Sequence, residues 1–125
     1  MRNNNLKSLR KLTLQEFLDE MQLLLIKKRL KNPKKKLSMR KRHWVHLVVN
    51  NLLECPATGK VVDHCSYDHN EHADSFHYNF YDKDGTMLTI DHKTPKSKGG
   101  TDHVDNIQPM IQEENTKKAD QEIYL

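Results

Sequence analysis

Asp91 and His92 stand side by side at the end of an apolar run, Leu88 to Ile90, and a loop marked by Pro95 and Gly99-Gly100 follows them. Asn106 lies fourteen positions beyond His92, Asn115 nine beyond Asn106, and Lys118 three beyond Asn115. These residue types suit hydrolysis of a phosphodiester. Water must lose a proton, which a neutral imidazole accepts at about pH 7. Charge that develops on the leaving 3′ oxygen and the non-bridging oxygens needs a counterweight, which a divalent cation supplies. A hard cation such as Mg²⁺ takes oxygen ligands. Asp91 offers a carboxylate and Asn115 an amide oxygen. Neighbours on an undistorted strand diverge to opposite faces, so Asp91 can reach a metal while His92 faces the attacking water. Asn106 is placed to fix His92 through the backbone of the intervening loop. Lys118, one helical turn past Asn115, can meet phosphate or the leaving group.

The surrounding pattern predicts elements that hold these groups. Phe76 to Tyr81, the turn Asp82-Lys-Asp-Gly85, and Thr86 to Ile90 read as strand, tight turn and strand, with Gly85 tolerating positive φ. Residues 93–101 must be a loop, Ile107 to Ile111 a short strand, and Gln112 to about Gln121 a polar helix opened by Glu113 and Glu114. Upstream, Thr13 and Glu16 have capping-box spacing. Leu14, Phe17, Leu18, Met21, Leu24 and Leu25 form one helical face that Asn32-Pro33 ends. A second helix is expected from about Met39 to Asn51, capped by Ser38, with Trp44, Leu47 and Val48 inward and Arg40, Lys41 and Arg42 outward. Residues 1–12 read as frayed and Asp63 to Asp74 as a polar loop. Pro56 to Gly59 reads as a turn and Val61-Val62 as a short strand.

The positions Asp91-His92, Pro95, Gly99-Gly100, Asn106, Asn115 and Lys118 resemble the HNH nuclease motif at its usual spacing, with Asn in place of His at the third position. The resemblance implies an α+β fold: a ββα-metal core, preceded here by a basic helical pair. It implies His92 as general base, Asp91 and Asn115 as metal ligands, and Asn106 as the residue that orients His92. One divalent cation is expected, Mg²⁺ first, with Mn²⁺ or Ni²⁺ as alternatives. Many such domains carry a zinc on two Cys-x-x-Cys pairs. Here Cys55 keeps the first position, but Thr58, Ile111 and Glu114 stand at the other three, so no structural zinc is expected. Packing by Met110, Ile111 and the N-terminal helices would replace it.

Charge divides the chain. Residues 1–50 hold fourteen Lys or Arg against three Asp or Glu, and residues 51–125 hold seven against fourteen. A basic half joined to an acidic half predicts an arm that grips a polyanion and a body that holds cations or catalytic carboxylates. The expected division is residues 1–54 as a basic helical arm packed on the core and 55–125 as the nuclease domain. Lys27, Lys28, Arg29, Lys34, Lys35, Lys36, Arg40 and Arg42 are the expected DNA phosphate contacts, giving affinity that weakens with salt. At 35 % apolar and 30 % charged, the chain supports one modest core.

Cys55 and Cys65 make no disulfide framework, the start has no apolar signal segment, and the longest apolar run, Leu23 to Ile26, cannot cross a bilayer. The expectation is a cytoplasmic protein of a bacterial or phage-infected cell, with DNA as partner, acting as a monomer or homodimer. His64, Cys65, Asp68, His69 and His72 have metal-ligating types but no recognised spacing, and read as a solvated loop. His103 reads as exposed, His77 as half-buried, and Trp44 as core. A DNA-binding module with an inactive motif is the rival reading, against which the intact site residues argue. Action on RNA or on branched DNA stays open.

Overall fold

Thr13 starts the first helix as its spacing predicts. Its hydroxyl accepts from Glu16 N at 3.0 Å, and the Glu16 carboxylate accepts from Thr13 N at 2.8 Å. The computed structural model describes residues 5–118. From this capping box runs α1 (Leu14–Lys31), with Phe17 and Met21 buried and Lys28, Arg29 and Lys31 in its last turn, where cations meet the negative end of the helix dipole. The second helix, α2 (Met39–Val49), buries His43, Trp44 and Leu47; Ser38 caps it by position, without a side-chain hydrogen bond. The two helices pack on each other.

Five antiparallel strands form one sheet in chain order: β1 (Leu6–Leu12), β2 (His64–Asn70), β3 (Ser75–Tyr81), β4 (Met87–His92) and β5 (Ile107–Ile111). Two of these correct the sequence reading. Leu6 to Leu12 is no frayed end: it pairs with β2 from Leu6↔Asn70 to Leu12↔Cys65, with an irregularity between Ser8 and Arg10. His64 to Asn70 is no loop: it pairs along its whole length with β3. Val61 makes only an isolated bridge to Glu54. The β3–β4 turn forms as expected, with Gly85 at φ +86° and Asp82 Oδ1 accepting from Asp84 N and Thr86 N at 3.0 and 2.7 Å.

Packing assigns the faces. Phe80 lies against the indole of Trp44, centroids 4.0 Å apart and 17° off parallel, and meets Phe17 edge-on at 4.8 Å. Full burial of side chains this size contributes about 1.5–3 kcal/mol each. Phe80 pairs with Leu88, so the β4 residues Leu88, Ile90 and His92 face the α1–α2 layer. Thr89 and Asp91 face the other way, toward α3 (Gln112–Lys118), which lies against β4 and β5. Cys55 and Met110 meet in the core with their sulfurs 3.6 Å apart.

Candidate active site

Strand β4 delivers Asp91 and His92 to opposite faces at its last two positions. Asp91 is buried, and directly across the ladder Gln108 donates Nε2 to its Oδ2 at 2.9 Å. On the same face, Asn115 of α3 donates Nδ2 to Thr89 Oγ1 at 3.2 Å, and the Thr89 hydroxyl donates to Met110 O at 3.2 Å. The Asn115 carbonyl oxygen therefore points away from Thr89. A carboxylate and an amide oxygen on one face are hard donors, and they suit a Mg²⁺-like ion whose other ligands are water and phosphate.

His92 is held by a residue that the sequence reading missed. Its Nε2 lies 2.8 Å from Asp102 Oδ1, and the other Asp102 oxygen accepts from Lys96 Nζ at 2.9 Å. Lys96 first and His92 second hold the Asp102 carboxyl below the usual carboxylate range. An ionised carboxylate can only accept, so Nε2 carries the proton and the neutral ring has its lone pair on Nδ1. The Asp102 backbone is fixed as well: buried His43 of α2 donates Nε2 to Asp102 O at 2.7 Å. Neither contact is readable from local pattern. Asp102 meets His92 across ten positions of loop, and His43 meets Asp102 across fifty-nine. The only sequence signal was an acidic residue in the glycine-marked loop.

That loop is closed by Asn106. Its Oδ1 accepts from Thr94 N at 2.9 Å, its Nδ2 donates to Thr94 O at 3.1 Å and Thr101 O at 2.8 Å, and its own carbonyl accepts from Lys93 N. Gly100 is required at the same junction, because a Cβ there would sit 1.8 Å from Thr94 O. The side chain of Asn106 thus ties both limbs of the loop that carries Asp102 back toward His92.

The predicted phosphate contacts are spread along the basic half. Lys27, Lys28 and Arg29 lie near the end of α1, where Arg29 Nε donates to Lys35 O at 3.1 Å. Lys34, Lys35 and Lys36 are exposed in the connector. Arg42 donates to Leu37 O at 2.5 Å. Arg40 does not simply point outward: its guanidinium donates to Asn79 Oδ1 of β3 at 2.9 Å. Lys118 ends α3, and its side chain lies outside the described part of the chain.

The cluster from His64 to His72 does not converge. Cys65 is buried in the core, its thiol pushed up to about 12 by burial and then by Asp68 and Glu20. Asp68 is buried in its own hydrogen-bond network, and His69 pairs with Asp74 at 2.8 Å. Among the described residues no group of three or more His, Cys, Asp or Glu could hold a metal. His103 is exposed, as expected; His77 is exposed rather than half-buried. Among the described residues no helix is long and apolar enough to cross a membrane.

A family model described as HNH endonuclease matches residues 54–121, more than half of the chain. Neither a curated protein nor a solved structure matches significantly. The matched span contains Asp91, His92, Asp102, Asn106 and Asn115, and on this match the chain belongs to the HNH endonuclease family.

Proposed function

We propose that the protein hydrolyses DNA phosphodiester bonds, with His92 as general base and Asp91 and Asn115 as ligands of one divalent ion, Mg²⁺ first. The single observation that carries this reading is the hydrogen bond from His92 Nε2 to Asp102, which fixes the ring. Held in this way, His92 is the group that accepts a proton from water. Asp102 stabilises the imidazolium that results and keeps the ring from turning, as a positioning residue held in place by Lys96, His43 and the Asn106 brace. A divalent ion at Asp91 and Asn115 would stabilise negative charge on the phosphate oxygens and the leaving oxygen. In this reading β4, β5 and α3 are the ββα-metal unit, and Lys118 contacts phosphate.

Residues 1–54 serve as the gripping part and 55–125 as the cutting part. Lys27, Lys28, Arg29, Lys34, Lys35 and Lys36 supply affinity that does not depend on sequence and that weakens steeply with salt. One site per chain nicks; a double-strand break takes a homodimer or two events. Relaxation of supercoiled plasmid tests the reading. Wild type should nick with Mg²⁺ and not with a chelator, and His92→Ala should be slower by about 10²–10⁴-fold. A wild type that binds plasmid but nicks it with none of Mg²⁺, Mn²⁺ or Ni²⁺ would leave a DNA-binding module and overturn it.

A further inference from the structure

On the helix side of the sheet, α1, α2, β2 and β3 enclose a cavity of about 250 Å³. Its walls include Trp44, Tyr67, Phe76 and Tyr78, its rim carries Arg40 and Lys41, and among the described residues no carboxylate lines it. Glu20, which accepts from the Tyr78 hydroxyl, is already engaged by Arg10.

Three features of this cavity stand unexplained by the fold. Phe76 leaves 49 % of its surface exposed, although it sits in a stack: its ring lies 4.4 Å and 16° from His69 and 6.0 Å and 18° from Tyr67. The cations are crowded, and among the described residues no carboxylate pairs with them, although Arg40 keeps one donor on Asn79. Burial, then Lys28 and Arg40, hold the Lys41 ammonium below its ordinary value, and burial, Arg40 and Lys41 do the same to His77. Last, Trp44 is 1 % exposed, and its Nε1 is the only buried side-chain nitrogen or oxygen among the described residues without a hydrogen-bond partner.

Flat rings and cations without a carboxylate partner among the described residues suit a ligand that has a planar face and an anion. A nucleotide has both. Stacking on a side chain needs a base whose face is not covered by its neighbours, as in an unpaired strand. We propose that this cavity holds an unpaired nucleotide of the nucleic-acid substrate, its base against Phe76 and Tyr67 and its phosphate at Lys41 and Arg40. The inference rests on the reading that the chain acts on nucleic acid, and narrows the substrate to one with an unpaired segment. Helix α2 runs from the cavity to the loop that holds the candidate base. Lys41 and Trp44 stand on either side of His43, which holds Asp102, which holds His92.

Trp44 is the only tryptophan, so its fluorescence reports on the cavity. The full chain is titrated in chelator, where no cleavage occurs, with an eight-residue oligo-dT and with a blunt duplex of equal length. The oligonucleotide should change the emission saturably and bind at least about tenfold more tightly than the duplex. Phe76→Ala and Lys41→Ala should each weaken it by about tenfold, within the range measured for loss of a stacked base. Lys83→Ala, an equal charge loss at the exposed β3–β4 turn, should stay within about twofold. Equal binding of duplex and oligonucleotide, or wild-type binding by Phe76→Ala, would overturn the inference. Plasmid nicking separates the two claims. A chain that nicks but ignores oligo-dT loses this inference and keeps the nuclease reading. A chain that binds through Phe76 but never nicks does the reverse.

Discussion

Two carboxylates, Asp68 on β2 and Asp102 beside β4, each accept hydrogen bonds on both oxygens but in different settings. Asp68 is 2 % exposed; Oδ1 accepts from Ser66 at 2.5 Å, and Oδ2 accepts from Asn79 at 2.9 Å and Tyr81 at 2.5 Å. Every donor comes from β2 or β3, and Arg40 closes the network through Asn79. Asp102 lies in a partly exposed loop, and its donors are a partly buried histidine and an exposed lysine. A buried network of neutral donors fixes strands and leaves nothing for a ligand. A carboxylate on a half-exposed imidazole fixes a ring that can still exchange protons. Burial and partner type separate Asp68, held inside the sheet, from Asp102, to which the proposed mechanism gives a positioning role.

That contrast can be broken in order of effect. Asp91→Ala should cut the nicking rate by about a hundredfold or more, the scale of losing a group that stabilises developing charge. Raising Mg²⁺ should recover part of the rate, while Gln108, left without its acceptor, should cost about 1–3 kcal/mol in urea unfolding. Asp68→Ala should cost stability alone. Three donors lose their acceptor at about 1–3 kcal/mol each, and relaxation leaves a loss of about 3 kcal/mol in urea unfolding. The folded fraction should nick at the wild-type rate. Asp102→Ala should lower kcat by about ten- to hundredfold, typical of a residue that orients another, with KM unchanged. Its unfolding free energy in urea should change by less than about 0.5 kcal/mol, as for a surface site. A large stability loss would place Asp102 with Asp68 and dissolve the contrast.

The smallest effect is a pH dependence. Burial works against the charged form of Asp82, but donors from Thr86 N, Lys60 and Asp84 N outweigh it and hold the carboxyl below its usual value. A depressed folded-state value means that Asp82 stabilises the protein above the unfolded carboxylate range, and that this is lost as pH falls through the folded value. Melting temperature between about pH 6 and about pH 3 should therefore fall less steeply in Asp82→Asn than in wild type.

What the sequence made legible follows the same physics. The α1 start, the Asp82–Gly85 turn and the β4 and β5 strands are local patterns whose hydrogen bonds and apolar spacing lie within a few residues. Strands β1 and β2 carried no such pattern. In β1 only Leu12 is buried, so an edge strand of mostly exposed residues reads as a tail. In β2 the buried residues include Ser66 and Asp68, made tolerable by the side chains of Asn79 and Tyr81 on a neighbouring strand. Polarity therefore suggested a loop. The site divides the same way: Asp91, His92, Asn106 and Asn115 were visible through spacing, whereas Asp102 and His43 join them only through tertiary contact.

The central claim is that His92, set by Asp102, is the proton acceptor. Single-turnover nicking of a plasmid in saturating Mg²⁺ by wild type and His92→Ala, with urea midpoints measured on the same preparations, tests it most directly. Equal midpoints and a rate lower by about 10²–10⁴-fold in the variant are predicted. A His92→Ala protein that nicks within about twofold of wild type would contradict the account, since a general base contributes far more than that.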